Sequence, residues 1–316
     1  MTDTRTDNTS NAAGPTLLAL SAATGGVHRI DPTTGRVSTL VSGLEDVPDG
    51  IAVDPVAGEI VVTLMGRPEP APREGAEPLF TAHDGSIITI PLEGGEVKTL
   101  VPRGSFTTGK QLVREATTGR LFWSDREGRG VYRCEADGSG VTPLVLTSGT
   151  TPSAAEDECV GVAVDAEAGH LYWSQKGPSK GGHGRILRAA LEIPEGTTAD
   201  SREDIEVLWD GLPEPIDLEL DPEAGTLIWT DRGAEPEGNS LNRAPIPAPG
   251  TRGQAPQILA RGFHEAIGVA VARDRDLAFV SDLGGHVYEV DLSTGAMRRI
   301  AELAGGVTGL VLHGGV

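Results

Sequence analysis

Ionisable and hydroxyl side chains gather at one recurring place in this 316-residue chain, just ahead of six short apolar runs. They are Asp46 and Asp49, Thr108 and Lys110, Asp157 and Glu158, Glu214 and Asp217, His264 and Glu265, and Thr308. Carboxylates crowded into a cleft repel each other, so they either take up protons or bind a cation. Glu158, Glu214 and Asp217 are therefore candidate ligands for a divalent cation, Ca²⁺ or Mg²⁺, which favour oxygen donors. Such an ion would polarise a carbonyl or activate water. Asp49 and Lys110 occupy the same position in successive units, where an ion pair would orient the lysine toward a substrate carboxylate or carbonyl. His264 has the pKa range suited to proton transfer and completes a candidate catalytic set with Lys110 and Asp49. Phe263, Glu265 and Thr308 are the candidate substrate-binding residues. The competing reading is solvated loop charge, since a chain this acidic places carboxylates in every loop. Cys159 adjoins Glu158, which would raise a thiol pKa, so it reads as filler. There is no nucleophile elbow, HExxH or CxxC, and GGHG at 181–184 and GTRG at 250–253 lack a strand–turn–helix setting. No organic cofactor is indicated.

The elements that must position these residues are visible as a repeat. LFWSD at 121–125, LYWSQ at 171–175, LIWTD at 227–231 and AFVSD at 278–282 are variants of one phrase, and IVVTL at 60–64 and LALSA at 18–22 align with them. That alignment puts Ser21, Thr63, Ser124, Ser174, Thr230 and Ser281 in one hydroxyl column. A period of roughly fifty residues signals a solenoid, propeller or array. Each unit reads as four short strands: in the clearest, VGVAVD, HLYWS, GRILRAAL and IEVLWD. A tight turn joins the first two, with Gly58, Gly119, Gly169 and Gly225 in register. Four strands per unit predict an all-β, six-bladed β-propeller with antiparallel blades. The chain starts with three strands that lack a first and ends with GLVLHG, a first strand that lacks the rest. The two ends therefore complete one blade and remove the open sheet edges. The expected blades are 305–316 with 16–42, then 47–101, 109–146, 159–210, 214–260 and 265–302, after a flexible polar tail over 1–14. Trp123, Trp173 and Trp229 share a column and should pack between neighbouring blades.

Those phrases, with VYRCEADG at 131–138 and LNRAPI at 241–246, resemble the YWTD repeat of the low-density-lipoprotein-receptor type of six-bladed propeller. The likeness covers about residues 16–316 and is strongest in the middle units; Ala22, Leu64 and Gln175 stand where the motif's aspartate would be. It implies the propeller fold, whereas the receptors' cysteine-rich modules have no counterpart here. More distantly the chain resembles gluconolactonase and strictosidine-synthase propellers, which do small-molecule chemistry at the channel mouth, often with a metal. Gluconolactonase metal sites lean on asparagine; here the asparagines are Asn8, Asn11, Asn239 and Asn242, none at the start of a first strand.

The bulk properties narrow the function classes. Net charge is −20, from 26 Lys and Arg against 46 Asp and Glu. Such a surface repels phosphate backbones and anionic lipids, so neither nucleic acid nor membrane is an expected partner. Two cysteines are no disulfide framework, and the N-terminus lacks a secretory apolar segment, which points to the cytoplasm. The long irregular segments at 65–84, 147–158, 175–184 and 231–239 all belong to one face, whereas the turns of the other face are minimal. Binding surfaces sit on such loops. The expectation is a small-molecule-binding propeller acting there as a hydrolase, lyase or isomerase. The alternative is a protein- or peptide-binding module without catalysis, and a concave rather than flat mouth would distinguish the two. Oligomeric state stays open.

Overall fold

The computed structural model describes residues 14–71, 78–149 and 154–314. The tail expected over 1–14 thus lies, apart from Gly14, outside the described residues, as do parts of the 65–84 and 147–158 segments. Within them the chain forms six four-stranded antiparallel sheets. Blade 1 joins Val307–His313 to Thr16–Ser21, Gly26–Ile30 and Val37–Val41. Blades 2 to 6 then follow in order, with first strands Pro48–Asp54, Gly109–Arg114, Cys159–Asp165, Pro215–Asp221 and Ala266–Ala272. The predicted ring, closed by the C-terminal strand, is the observed one.

There is no single core; burial is divided among the seams. Six apolar clusters each bring together residues of two consecutive blades. The motif tryptophans, all 0% exposed, point back into the preceding blade. Trp123 meets Phe106 of blade 2 with ring centroids 5.2 Å apart, and Trp229 meets Trp209 of blade 4 at 5.4 Å. Burying apolar side chains at every seam, with a tryptophan at three of them, makes the hydrophobic term scale with the number of seams round the ring.

Each first strand carries a bulge at the same place. Between Pro48↔Leu64 and Ile51↔Val62, two residues, Asp49 and Gly50, oppose the single Thr63. The same shift occurs at 110–111, 160–161, 216–217, 267–268 and 308–309. A bulge of two residues against one bends the strand and leaves an N–H outside the ladder. The opposing hydroxyl takes up that N–H: Gly50 donates to Thr63 at 2.8 Å, Gly161 to Ser174 at 2.8 Å, Gly268 to Ser281 at 2.9 Å and Asp217 to Thr230 at 3.2 Å. The hydroxyl then donates to a carbonyl of the next blade, as in Thr63 to Lys110 (2.7 Å), Ser124 to Gly161 (2.9 Å) and Ser281 to Thr308 (2.6 Å). This double duty explains why a hydroxyl recurs.

Blade 1 departs from the expected column. Its pairing sets Leu20, not Ser21, opposite the bulge at Thr308 and Gly309. Ser21 falls one residue later, at the motif-aspartate position, and donates to Ala304 O, in the segment that joins blade 6 to blade 1, at 2.6 Å. The sequence alignment was one residue out there. The seam between blades 1 and 2 accordingly has no latch of this kind; Thr308 crosses it instead, donating to Pro48 O at 3.0 Å.

Candidate functional site

The bulge pairs line the central channel. Their second members are Gly50, Gln111, Gly161, Asp217, Gly268 and Gly309. A Cβ at Gly50, Gly161, Gly268 or Gly309 would sit 2.2, 2.1, 2.4 or 2.2 Å from a carbonyl oxygen of the next blade, so these glycines permit close strand approach. The two exceptions send side chains into the channel. Gln111 donates to Leu218 O at 2.8 Å and accepts from Leu218 N at 2.9 Å and Val162 N at 2.8 Å, tying blade 3 to blades 4 and 5. Sequence reasoning missed Gln111, although its break in the glycine column was a readable signal.

The first members of the pairs are Asp49, Lys110, Val160, Ile216, Ile267 and Thr308, all buried. Lys110 Nζ donates to Asp49 Oδ1 at 2.5 Å and lies 3.4 Å from Met65 Sδ, so the expected ion pair forms. Val160, Ile216 and Ile267 cluster together with Leu283 packed against them. One sector of the channel is therefore charged and the other apolar.

Above this layer, on the long-loop face, is a concave cavity of 630 Å³. Asp49, Lys110 and Thr308 line its floor; Leu44, Val47, Met65, Phe80, Ile267 and Leu283 supply apolar wall. Its shape follows from the residue just after each motif. That residue is Ala22, Met65, Arg126, Lys176, Arg232 or Leu283, and each donates its backbone N–H to the residue before the bulged first strand of its own blade. Where alanines stand, at 22 and 23, the cavity extends over the seam of blades 1 and 2. Arg126 and Arg232 also line it. Arg126 is held by Glu127 at 2.7 Å and lies over the Phe80 ring at 5.8 Å; Arg232 is held by Glu214 at 2.7 Å.

The motif aspartates brace this mouth from beneath. Asp125 accepts the N–H groups of Thr107, Thr108 and Gly128 at 2.8, 2.7 and 2.9 Å. Asp231 accepts from Glu214 and from Gly233, the latter at 2.8 Å, and burial pushes its carboxyl up to about 7. Asp282 takes His264 N at 2.9 Å and His286 N at 3.0 Å.

Other expected site residues do not converge. His264 is exposed and outside the cavity wall; Phe263, 4% exposed, packs edge-on against Tyr288 in the seam of blades 5 and 6. Glu265 pairs with Lys180 at 3.1 Å. The proposed cation ligands are also dispersed: Glu158 binds Lys176 at 2.7 Å, Glu214 binds Arg232, and Asp217 lies deep in the channel. Among the described residues no three His, Cys, Asp or Glu side chains form a group that could hold a metal ion. Cys159 is wholly buried, and burial pushes its thiol up to about 12, which is the chemistry of filler.

Fold and mouth together define a six-bladed propeller with a concave, braced cavity on one face. The chain belongs to the low-density-lipoprotein-receptor type of YWTD propeller family. It is 42% identical over 296 residues to low-density lipoprotein receptor-related protein 1 of Pyricularia oryzae, covering 89% of this chain and 90% of that one. It is also 36% identical over 257 residues to the 3-hydroxyacyl-CoA dehydrogenase-like protein LAM1 of Cochliobolus heterostrophus, covering 78% of this chain but only 52% of that protein. A human low-density lipoprotein receptor-related protein 5-like protein matches 39% of the chain at 29% identity. In fold, a chain from the crystal structure of a nidogen/laminin complex superposes with a TM-score of 0.69 over 95% of this chain and 98% of its own, at 17% identity. No protein-family model matches. These findings overturn the expectation of an enzyme acting on a small-molecule ligand and favour the binding-module alternative.

Proposed function

We propose that this propeller is a protein-binding module whose long-loop face receives a segment of a partner protein, centred on the 630 Å³ cavity. Membership of the receptor-type family is the observation that carries this reading. The fold neighbour comes from a structure described as a complex of nidogen with laminin, which is in keeping with it. The cavity suits an anchoring role: it has apolar walls for a partner side chain and a polar floor at Asp49, Lys110 and Thr308 for its backbone. Because Lys110 is already paired and the bracing aspartates fix the surrounding loops, the mouth is preorganised and loses little entropy on binding.

Panning a displayed peptide library on the intact chain tests this. Enriched peptides should lose at least about tenfold in affinity with Met65→Arg or Ala22→Trp. Arg298→Ala, on an outer strand, should leave them unchanged. Enrichment of peptides indifferent to both cavity variants would overturn the assignment.

A further inference from the structure

The channel has a second opening, on the short-turn face, and its chemistry differs from that of the mouth. A cavity of 330 Å³ lies there, beneath the layer of Gln111, Asp49 and Lys110. Its walls are mainly apolar, from Ile51, Val53, Leu112, Val269 and Leu310. At its inner end is Asp217, 5% exposed. Only the backbone N–H of Asp217 is hydrogen bonded, to Thr230; among the described residues its carboxylate accepts no hydrogen bond and forms no ion pair within 4 Å.

That vacancy is unusual in this molecule. Elsewhere buried carboxylates are satisfied: Asp125 by three N–H groups, Glu214 by Arg232 and Lys180 N, Asp49 by Lys110. Lys110 cannot serve both aspartates equally, because its ammonium is committed to Asp49 at 2.5 Å. The channel therefore holds two carboxylates for one cation. The remaining charged groups of the cavity do not redress this. Arg114 is engaged by Asp54 at 3.2 Å, Glu219 adds a second carboxylate to the wall, and His313 stands at the rim. Burial and the neighbouring Asp49 and Glu219 push the Asp217 carboxyl well above its ordinary range, a penalty that a matching cation would relieve.

We propose that this opening is a socket for a lysine side chain presented by a partner protein, with the ammonium meeting Asp217. The apolar walls match a four-carbon stem, and with both Asp217 and Glu219 in the wall a compact point-charge ammonium can be shared between two carboxylates, whereas a planar guanidinium commits its fork to one. A chain with net charge −20 would also draw a basic segment toward this face. The socket is on the face opposite the mouth and is independent of the function proposed there.

Methyl NMR of the intact chain titrated with the peptide acetyl-Gly-Gly-Lys-Gly-Gly-amide tests it. Saturable shifts at Ile51, Val269 and Leu310 are expected, absent when the lysine is N-acetylated. Asp217→Asn should weaken binding at least about tenfold. Val53→Trp, which obstructs the slot and keeps Asp217, should do the same, so a failure of Asp217→Asn to fold leaves the test intact. Equal shifts from the acetylated peptide, tighter binding of the arginine analogue, or no saturable shift up to about 10 mM would each overturn the socket.

Discussion

Asp125 shows how much one side chain can organise here. Three backbone N–H groups from two segments converge on it, so Asp125→Ala would strand one buried donor, at Thr108, and two half-buried ones, at Thr107 and Gly128. A loss of about 3 kcal/mol in unfolding free energy is expected, measured by urea denaturation. Gln111 has a comparable role across the channel: Gln111→Leu removes three hydrogen bonds to blades 4 and 5 and should cost about 2–4 kcal/mol. Asp231 gives a pH signature. Its folded pKa, about 7, is raised by burial above the unfolded value, so the native state binds the extra proton. Its contribution to stability is therefore present below about pH 4 and is lost as pH climbs toward 7. Asp291 works the other way: bonds from Ser293 and Thr294 hold it at about 2, so its contribution is lost only as pH falls from about 4 to 2. Asp231→Asn should flatten the decline between pH 4 and 7 in a series of thermal melts, and an unchanged slope would refute the assignment.

At the scale of elements, the strands were legible because turn glycines, tryptophans and hydroxyls recur with the geometry that needs them. The site was less legible, for a definite reason. Position just ahead of each first strand was the guide to which residues reach the mouth, and the bulge in every first strand decides which of them face the channel. Asp49, Lys110 and Thr308 were found, since they fall within the bulge pairs. Glu158, Glu214 and Glu265, just outside them, were placed in the mouth but are engaged by Lys176, Arg232 and Lys180. The apolar sector of Val160, Ile216 and Ile267 was overlooked because it reads as ordinary strand interior. The same geometry ranks the hydroxyls. Ser174 joins blade 4 to Ile216 O of blade 5 at 2.6 Å and also takes Gly161 N, whereas Ser21 faces no bulge and donates only to Ala304, in the segment that leads into blade 1. Ser174→Ala should therefore lower the melting temperature by several degrees and Ser21→Ala by much less.

For the molecule as a whole, stability resides in seams, and the ring is only as continuous as its last joint. Removing residues 305–316 would take Val307–His313 from blade 1 and leave Thr16–Ser21 as an open edge beside an uncovered apolar seam. Aggregation is expected rather than a trimmed monomer, and light scattering with size-exclusion chromatography would show it. A soluble, cooperatively melting truncation would count against seam-based stability. The blade built from both ends also sets an order of events at the ribosome. Blades 2 to 6 can form as they emerge, but the first three strands of the domain must wait, unpaired on one side, until residue 313 has cleared the exit tunnel. Closure of the ring is thus timed by the emergence of its last strand, and until then the nascent propeller depends on whatever shields that waiting edge.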